Sequence, residues 1–202
     1  MARTIGILIF DDAEELDFVG PWEVFTALRQ VQEHRGDEPV SVVTVSERGG
    51  EVRCAKGLRV IADHSFADAP PLDVVLVPGG QGTRREVDNP TLVSWLQTAA
   101  ERSEWVTSVC TGALLLHEAG PAWGKRVTTH WSFVDSLRGR GDVEVVEGER
   151  YVRDGNLVTS AGVSAGIDMA LWLVGEWHGP DTARTIQHHI EYYPEPPYAQ
   201  EG

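Results

Sequence analysis

Apolar and polar positions along the chain form two alternating kinds of segment. Short runs rich in valine, isoleucine and leucine predict buried strands, whereas apolar residues that recur every three or four positions predict helices. The segment 21–32 shows the helical pattern, with Trp22, Phe25 and Leu28 on one face and Pro21 at a position suited to a first turn. Strands are predicted at 4–10, 40–45, 73–77 and 105–109, with shorter ones at 143–146, 151–153 and 157–160. Helices are predicted at 21–32, from Asn89-Pro90 to about Arg102, after Cys110 to about Ala119, from Ala165 to about Trp177, and after Pro180.

This alternation of strands and helices predicts one α/β domain that spans residues 1–202. Such an order is typical of a parallel sheet covered by helices on both faces. The segment 51–62 departs from it, because the turn residues Gly49-Gly50 and Lys56-Gly57 indicate a hairpin-like insertion. Ligands of open parallel sheets bind at the carboxyl ends of the strands. We therefore expect the functional residues in the loops that follow the strands.

The charge and composition of the chain indicate which kinds of partner and which cellular compartment to expect. The chain has 202 residues and a formal net charge of −14, so we expect no nucleic-acid partner, which usually needs a basic face. No apolar stretch is long enough to span a bilayer, and we expect no membrane association. The apolar run at 5–10 is too short for a secretory signal core. We expect a cytoplasmic protein with Cys54 and Cys110 as free thiols, although a disulfide between them stays open.

Cys110 is the first candidate for chemistry. It follows the predicted strand 105–109 and precedes Thr111-Gly112, where a helix is expected to begin. A sulfur near the positive end of a helix is favoured as a thiolate, which is the nucleophilic form. We therefore predict that Cys110 is a catalytic nucleophile with a pKa below that of a free cysteine. A buried structural cysteine is the alternative.

Asp17 is the second candidate, in the acidic loop predicted between the first strand and the first helix. Leu16, Phe18 and Val19 flank it, and a carboxyl among apolar neighbours tends to have a raised pKa. Such a group can keep its proton, hydrogen-bond a thiolate and act as a general acid. The alternative is that Asp17 belongs to a solvated acidic loop.

Two further motifs are candidates, and the first of them follows the predicted strand 73–77. Gly79 and Gly80 lie in Pro78-Gly79-Gly80-Gln81-Gly82, where the backbone can approach a ligand closely. Their N–H groups, with that of Thr111, could bind a developing negative charge, although a plain turn is the alternative. His130 could line the pocket or assist proton transfer, but a lone histidine is often structural.

Two other motifs are weaker guides. The segment Gly162-Val163-Ser164-Ala165-Gly166 matches the nucleophile elbow of serine hydrolases. That elbow needs an acid and then a histidine after further strands, and only helices are predicted downstream. The pair His188-His189 is a poor metal site, because adjacent residues on a helix diverge. We expect no metal and no organic cofactor.

Taken together, the motifs resemble the ThiJ/PfpI superfamily over essentially the whole chain. The resemblance implies a flavodoxin-like, class I glutamine amidotransferase-like three-layer sandwich with a mostly parallel sheet. It also implies a homodimer. The residues that carry it are Val77-Pro78-Gly79-Gly80, Ser108-Val109-Cys110-Thr111-Gly112, Thr128-Thr129-His130-Trp131 and the stretch 152–168.

Within this superfamily, the loop 16–21, the pair Cys110-Thr111 and the ending 191–198 are most similar to the isonitrile hydratase branch. This implies that the cysteine attacks the terminal carbon of R–N≡C and that the acid at Asp17 handles the proton. Water then releases an N-substituted formamide, without metal or cofactor. The Thr111 hydroxyl would assist, and His130 and Trp131 would line the pocket.

The resemblance also leaves alternatives. The protease-like branch has histidine directly after the cysteine, where this chain has Thr111, which argues against a peptidase. A glyoxalase, deglycase or amidase would use the same cysteine on a carbonyl. A redox or ligand sensor would use Cys110 without turnover, through reversible oxidation of the thiol.

Overall fold

A seven-stranded sheet forms the middle layer of the structure, a computed structural model that describes residues 3–198. In chain order the strands of the protein are β1 (Thr4–Leu8), β2 (Ser41–Ser46), β3 (Gly50–Arg53), β4 (Arg59–Ala62), β5 (His64–Ser65), β6 (Val74–Val77), β7 (Trp105–Val109), β8 (Lys125–Val127), β9 (Val143–Val145), β10 (Tyr151–Asp154) and β11 (Leu157–Ser160). The strand order in the seven-stranded sheet is β10-β11-β7-β6-β1-β2-β5. All neighbouring strands in it are parallel except the edge pair β10 and β11.

Helices cover both faces of this sheet. They are α1 (Glu15–Arg35), α2 (Thr83–Glu86), α3 (Pro90–Arg102), α4 (Gly112–Glu118), α5 (Val134–Arg138), α6 (Ala165–His178) and α7 (Pro180–His189), with a 3-10 turn at Trp131–Phe133. One group consists of the helices α1, α6 and α7, which pack against one another, and the other group contains α2, α3 and α4. The predicted three-layer α/β sandwich with a mostly parallel sheet is thereby confirmed.

The central strands form where the sequence has continuous apolar runs. Every residue of β6, β7 and β11 is buried, as expected for strands covered on both faces. The helix α3 begins where predicted: the Asn89 side chain accepts hydrogen bonds from Thr91 N at 3.1 Å and Leu92 N at 3.3 Å, and Pro90 occupies the first helical position. The apolar runs therefore account for the central strands, and the Asn89 cap accounts for the start of α3.

The first helix begins earlier than the sequence pattern indicates. Pro21 is not in a first turn, because α1 already starts at Glu15 and contains Pro21 in its interior. Tertiary packing outweighs the cost of an internal proline: Gly20 lies so close to Ile167 that a Cβ there would be 2.8 Å from Ile167 Cγ1. Asp17 therefore lies in the first turn of a helix and not in a loop.

The predicted hairpin insertion is confirmed, since β3 and β4 pair antiparallel and form a separate two-stranded sheet. A second small sheet, formed by β8 and β9, was predicted only in its second strand. Cys54 and Cys110 are both free thiols. None of the helices in the described part of the chain combines the length and apolar character needed to cross a bilayer.

Candidate active site

The carboxyl ends of three neighbouring strands, β1, β6 and β7, meet at one edge of the sheet. After β1, Ala13 forms an antiparallel bridge with Gly80, which follows β6. Glu14 N also donates to Gly79 O at 2.9 Å. Cys110 comes directly after β7. The topology therefore brings the acidic segment, the glycine motif and the cysteine together, as the sequence predicts for a parallel sheet.

Cys110 occupies a strained corner between β7 and α4. Its φ of 56° lies in the left-handed region, which costs a non-glycine residue about 1–3 kcal/mol. The neighbouring segments hold this conformation: Cys110 N donates to Ala161 O at 3.0 Å, and Thr129 Oγ1 donates to Cys110 O at 2.8 Å. The cysteine is 6% exposed, yet it lines a cavity of about 180 Å³. The corner thus presents the sulfur to a small cavity.

Asp17 lies behind this corner and is fully buried. Its Oδ2 accepts a hydrogen bond from Gly79 N at 2.8 Å. Its Oδ1 is buried without a hydrogen-bond partner among residues 3–198, and the Cys110 side chain is the neighbour that, together with Gly79, acts on the pKa of the carboxyl. Burial raises the pKa of Asp17 from its ordinary 3.8 to about 7, although the hydrogen bonds with Gly79 and Cys110 lower it in part. The raised pKa predicted for this carboxyl is confirmed.

The predicted thiolate is wrong, because the pKa of Cys110 is raised to about 12. Burial is the largest cause, and the negative charge of Asp17 adds to it. The backbone N–H groups of Thr111 and Val163 and the Thr111 hydroxyl favour the ionised sulfur, but they offset only part of the rise. At neutral pH the sulfur therefore carries its proton, and the neighbouring carboxyl is close to half ionised.

The amides of Gly79 and Gly80 are not free to bind a developing charge, contrary to the sequence prediction. Gly79 N–H donates to Asp17, and Gly80 N–H donates to Thr111 Oγ1 at 3.1 Å. Thr111 is itself buried, and its hydroxyl also accepts a hydrogen bond from Thr83 Oγ1 at 3.2 Å. The two glycine amides therefore orient the carboxyl and the threonine, and the donors directed at the sulfur are the N–H groups of Thr111 and Val163.

The motif 162–166 contributes to the site through the backbone of Val163 and not through Ser164. Val163 contributes an N–H to the sulfur and has a φ of 41°, again in the left-handed region. Ser164 is exposed, and its Oγ accepts from Arg150 Nη2 at 3.2 Å. The glycines that flank this turn were the available signal for Val163, but they indicate a tight turn and not which amide points at Cys110.

His130 lines the Cys110 cavity, whereas Trp131 does not. His130 Nδ1 lies 2.7 Å from Ser132 Oγ, and burial together with the positive charge of Arg84 lowers the histidine pKa. Trp131 is 80% exposed and lines a neighbouring depression. The expectation for Trp131 is corrected because the 3-10 turn that it begins brings Phe133 to the cavity wall instead.

Arg84 also lines this cavity and had no local signal in the sequence. It lies on the short helix α2, directly after the glycine motif. Its Nη1 donates to Gly80 O at 2.5 Å, and its guanidinium carbon lies 4.1 Å from the centre of the Phe133 ring. The cavity therefore combines a thiol, a neighbouring acid and a positive charge. The remaining lining residues are Glu14, Gln81, Ser132 and Phe133.

A parallel sheet with a strained strand–helix cysteine beside a buried carboxyl defines a cysteine-centred α/β protein. Residues 3–176 match the DJ-1/PfpI family, and the chain belongs to this family.

Three similar proteins bear on its function. An isonitrile hydratase from Pseudomonas putida is 41% identical over 198 residues, which cover 98% of this chain and 82% of that protein. The HTH-type transcriptional regulator GbdR from Pseudomonas aeruginosa is 29% identical over 94% of this chain, which spans about half (51%) of the regulator. The crystal structure of a ThiJ/PfpI family protein from Pseudomonas syringae superposes with a TM-score of 0.89 at 31% identity, covering 98% of this chain and 78% of the other.

Proposed function

We propose that this chain hydrates isonitriles, converting R–N≡C and water into an N-substituted formamide through Cys110. The similar isonitrile hydratase is 41% identical over nearly the whole chain, which supports a shared reaction. One observation carries the proposal: a cysteine at a strained strand–helix corner lies beside a buried carboxyl whose pKa is about 7, and each group acts on the pKa of the other. A carboxyl with that pKa can both accept and return a proton near neutral pH.

The first step uses Asp17 as a base. The thiol carries its proton at neutral pH, so the Asp17 carboxylate accepts that proton while Sγ bonds to the terminal carbon of the isonitrile. The N–H groups of Thr111 and Val163 stabilise the negative charge that passes through the sulfur. The attacked carbon then holds an electron pair and takes the proton back from Asp17. The product of this step is the thioimidate Cys110–S–CH=N–R.

The second step consumes one water molecule. Water adds to the thioimidate carbon, nitrogen takes a proton, and the C–S bond breaks as the C=O bond forms. The sulfur leaves with a proton, which restores the thiol, and R–NH–CHO departs. Asp17 again carries the proton in this step, as the same group serves as base and acid in turn. Gly79 keeps the carboxyl in place by its hydrogen bond to Oδ2.

Turnover of an alkyl isonitrile tests this proposal. Purified protein is given cyclohexyl isonitrile and, in a separate reaction, methylglyoxal, and the formamide and lactate products are quantified. We expect the formamide, and we expect its formation to be abolished in Cys110→Ala and retained in Cys54→Ala, whose thiol is also buried and free. Turnover of methylglyoxal alone would contradict the proposal and favour a glyoxalase.

Ligand sensing without turnover is the second candidate function. It is favoured by the similarity to a transcriptional regulator, of which this chain spans about half (51%). A sensor would bind small electrophiles at Cys110 without releasing a product. A stable Cys110 adduct after exposure to the isonitrile, with no free formamide, would support this candidate over the hydratase.

A homodimer is also part of the proposal, supported by apolar side chains on one region of the surface. The hairpin adjoins the start of α1, since Lys56 N donates to Glu15 Oε1 at 2.6 Å. Light scattering after gel filtration is expected to give twice the chain mass, and Ile61→Asp is expected to shift it to one chain. The exposed apolar side chains at the start of α1 and in the hairpin formed by β3 and β4 are Leu16, Val19, Leu58 and Ile61.

A further inference from the structure

Arg84 is a positive charge at the Cys110 cavity that no acidic side chain among residues 3–198 neutralises. Among residues 3–198, it forms no ion pair with a carboxylate, and its Nε and Nη2 donate to no protein group. Its sequence neighbour Arg85 differs, because it pairs with Asp12 at 3.2 Å and Glu86 at 2.9 Å. In a chain of net charge −14, an arginine left without an acid beside the candidate nucleophile calls for a ligand.

The guanidinium of Arg84 is held in one orientation. Its carbon lies 4.1 Å from the centre of the Phe133 ring, a stacking geometry that favours a planar cation. Nη1 donates to Gly80 O at 2.5 Å and to Thr83 Oγ1 at 3.3 Å. These contacts involve only Nη1, so the edge of the guanidinium formed by Nε and Nη2 has no acceptor among residues 3–198. A fixed fork of this kind matches the two oxygens of a carboxylate.

The other charged groups around the cavity do not cancel this positive charge. Glu14 also lines the cavity, but Lys56 Nζ pairs with its Oε1. Asp17 lies behind Cys110 and is fully buried. Gln81 and Ser132 line the same cavity with exposed polar side chains. The cavity therefore offers a small anion the Arg84 guanidinium and neutral hydrogen-bonding groups, while the one carboxylate that lines it, Glu14, is paired with Lys56.

We propose that Arg84 binds a carboxylate of the substrate while the reactive carbon of that substrate meets Cys110. This inference rests on the proposed function, and it defines the substrate class as small isonitriles that carry a carboxylate close to the N≡C group. Arg84 is then a specificity residue: it attracts and orients the anion, and it takes no part in proton transfer.

Alkylation of Cys110 tests the anion site without relying on hydratase activity. Iodoacetate and iodoacetamide form the same C–S bond with loss of iodide, and they differ in whether the reagent carries a negative charge. Peptide mass spectrometry gives the rate at Cys110 separately from the rate at Cys54. Arg84→Gln is expected to lower the ratio of the iodoacetate rate to the iodoacetamide rate roughly tenfold, by analogy with lost charge-assisted bidentate contacts.

Arg85→Gln is the matched control, because it removes the same charge from the adjacent position of α2. We expect it to change the ratio by less than about twofold, as is usual for a screened surface charge. An unchanged ratio in Arg84→Gln, or an equal fall in both variants, would overturn the proposal. The second result would mean that only the overall charge of the protein matters.

Turnover separates this inference from the proposed function. With 2-isocyanoacetate as substrate, Arg84→Gln is expected to raise KM about tenfold and to leave kcat little changed, because a uniform binding contact is lost. With the neutral ethyl ester, KM is expected to stay the same. An equal rise in KM for the acid and the ester would contradict a carboxylate site. If neither isonitrile is turned over, the hydratase proposal fails, and the alkylation ratio still decides whether Arg84 binds anions.

Discussion

The negative charge of Asp17 raises the pKa of the neighbouring Cys110 thiol, while a hydrogen bond with that thiol lowers the pKa of Asp17. The carboxyl therefore loses its proton first, at about pH 7, and the thiol keeps its proton to about pH 12. At neutral pH the resting pair is a thiol beside a carboxyl that is about half ionised, and not a thiolate beside a carboxylic acid. Nucleophilic attack by such a pair requires the carboxylate to accept the thiol proton during bond formation.

Asp17→Asn is expected to make the thiol easier to ionise. The substitution removes the negative charge that helps to raise the pKa of Cys110, so this pKa should fall while burial still keeps it above the ordinary 9.0. Iodoacetamide labelling of Cys110, followed by peptide mass spectrometry across a pH series, measures the shift. If the apparent pKa of Cys110 in the variant equals or exceeds that in the wild type, Asp17 does not act on the sulfur by its charge.

The stability of the fold is expected to depend on pH through Asp17. Its pKa is about 7 in the folded chain against an ordinary 3.8, so the folded state retains a proton that the unfolded chain has already released. This contribution is complete below about pH 4 and is lost as the pH rises through about 7. The difference in unfolding free energy between wild type and Asp17→Asn should therefore fall by about 4 kcal/mol from about pH 4 to pH 8.

Urea unfolding of both proteins at each pH gives this difference, because the other titrating groups are common to both. A difference that stays constant across the range would mean that the carboxyl titrates as it does in the unfolded chain.

Gly79→Ala is expected to disrupt the site. An added Cβ would lie 2.5 Å from Thr111 N and 2.6 Å from Thr111 Oγ1, so either the glycine loop or the corner at Cys110 must move. We expect a loss of stability of about 1–3 kcal/mol and a larger relative loss of turnover, measured by thermal unfolding and by formamide production.

Gly175→Ala is the control for this substitution. Gly175 lies inside α6, and a Cβ there would be an ordinary 3.7 Å from Ala183 Cβ. Alanine should leave turnover unchanged and add up to about 1 kcal/mol of stability, because glycine is a poor helix former. If Gly79→Ala also keeps full turnover and loses no stability, the close packing around Asp17 and Thr111 is not required for function.

Ser164→Ala is expected to retain full turnover. The Ser164 side chain is exposed and bonded to Arg150, and the residue does not line the cavity that holds Cys110. Steady-state rates with an isonitrile measure the effect. An inactive variant would point to a serine nucleophile at this turn and away from Cys110.

The sequence pattern predicts those parts of the fold that depend on continuous local signals. The strands β6 and β7 are buried on both faces, and their unbroken apolar runs mark them directly. The start of α1 was missed because Pro21 is a local signal for a helix start, whereas the helix begins at Glu15 and packs against α6, with Gly20 close to Ile167. Helix boundaries of this kind depend on residues more than a hundred positions away.

The sequence predicts several of the residues that form the candidate site, but it predicts their pKa values only in part. The order of the strands places Asp17 and Cys110 at one edge, and apolar flanking residues indicate the raised pKa of Asp17. The raised pKa of Cys110 was not predictable, because burial and the charge of Asp17 outweigh the amides at the start of α4. Val163 and Arg84 were missed for a related reason, since their roles depend only on where the folded chain directs one amide and one guanidinium.

The rate of formamide formation by Asp17→Asn tests the account most directly. Asparagine keeps the shape of the side chain and an oxygen for Gly79 N–H, but it cannot carry the thiol proton to the isonitrile carbon. Although the variant thiol should ionise more readily, we expect kcat at pH 7 to fall by about 10²- to 10⁴-fold, with an unchanged circular dichroism spectrum. A kcat equal to that of the wild type would contradict the central claim that Asp17 transfers the proton of Cys110.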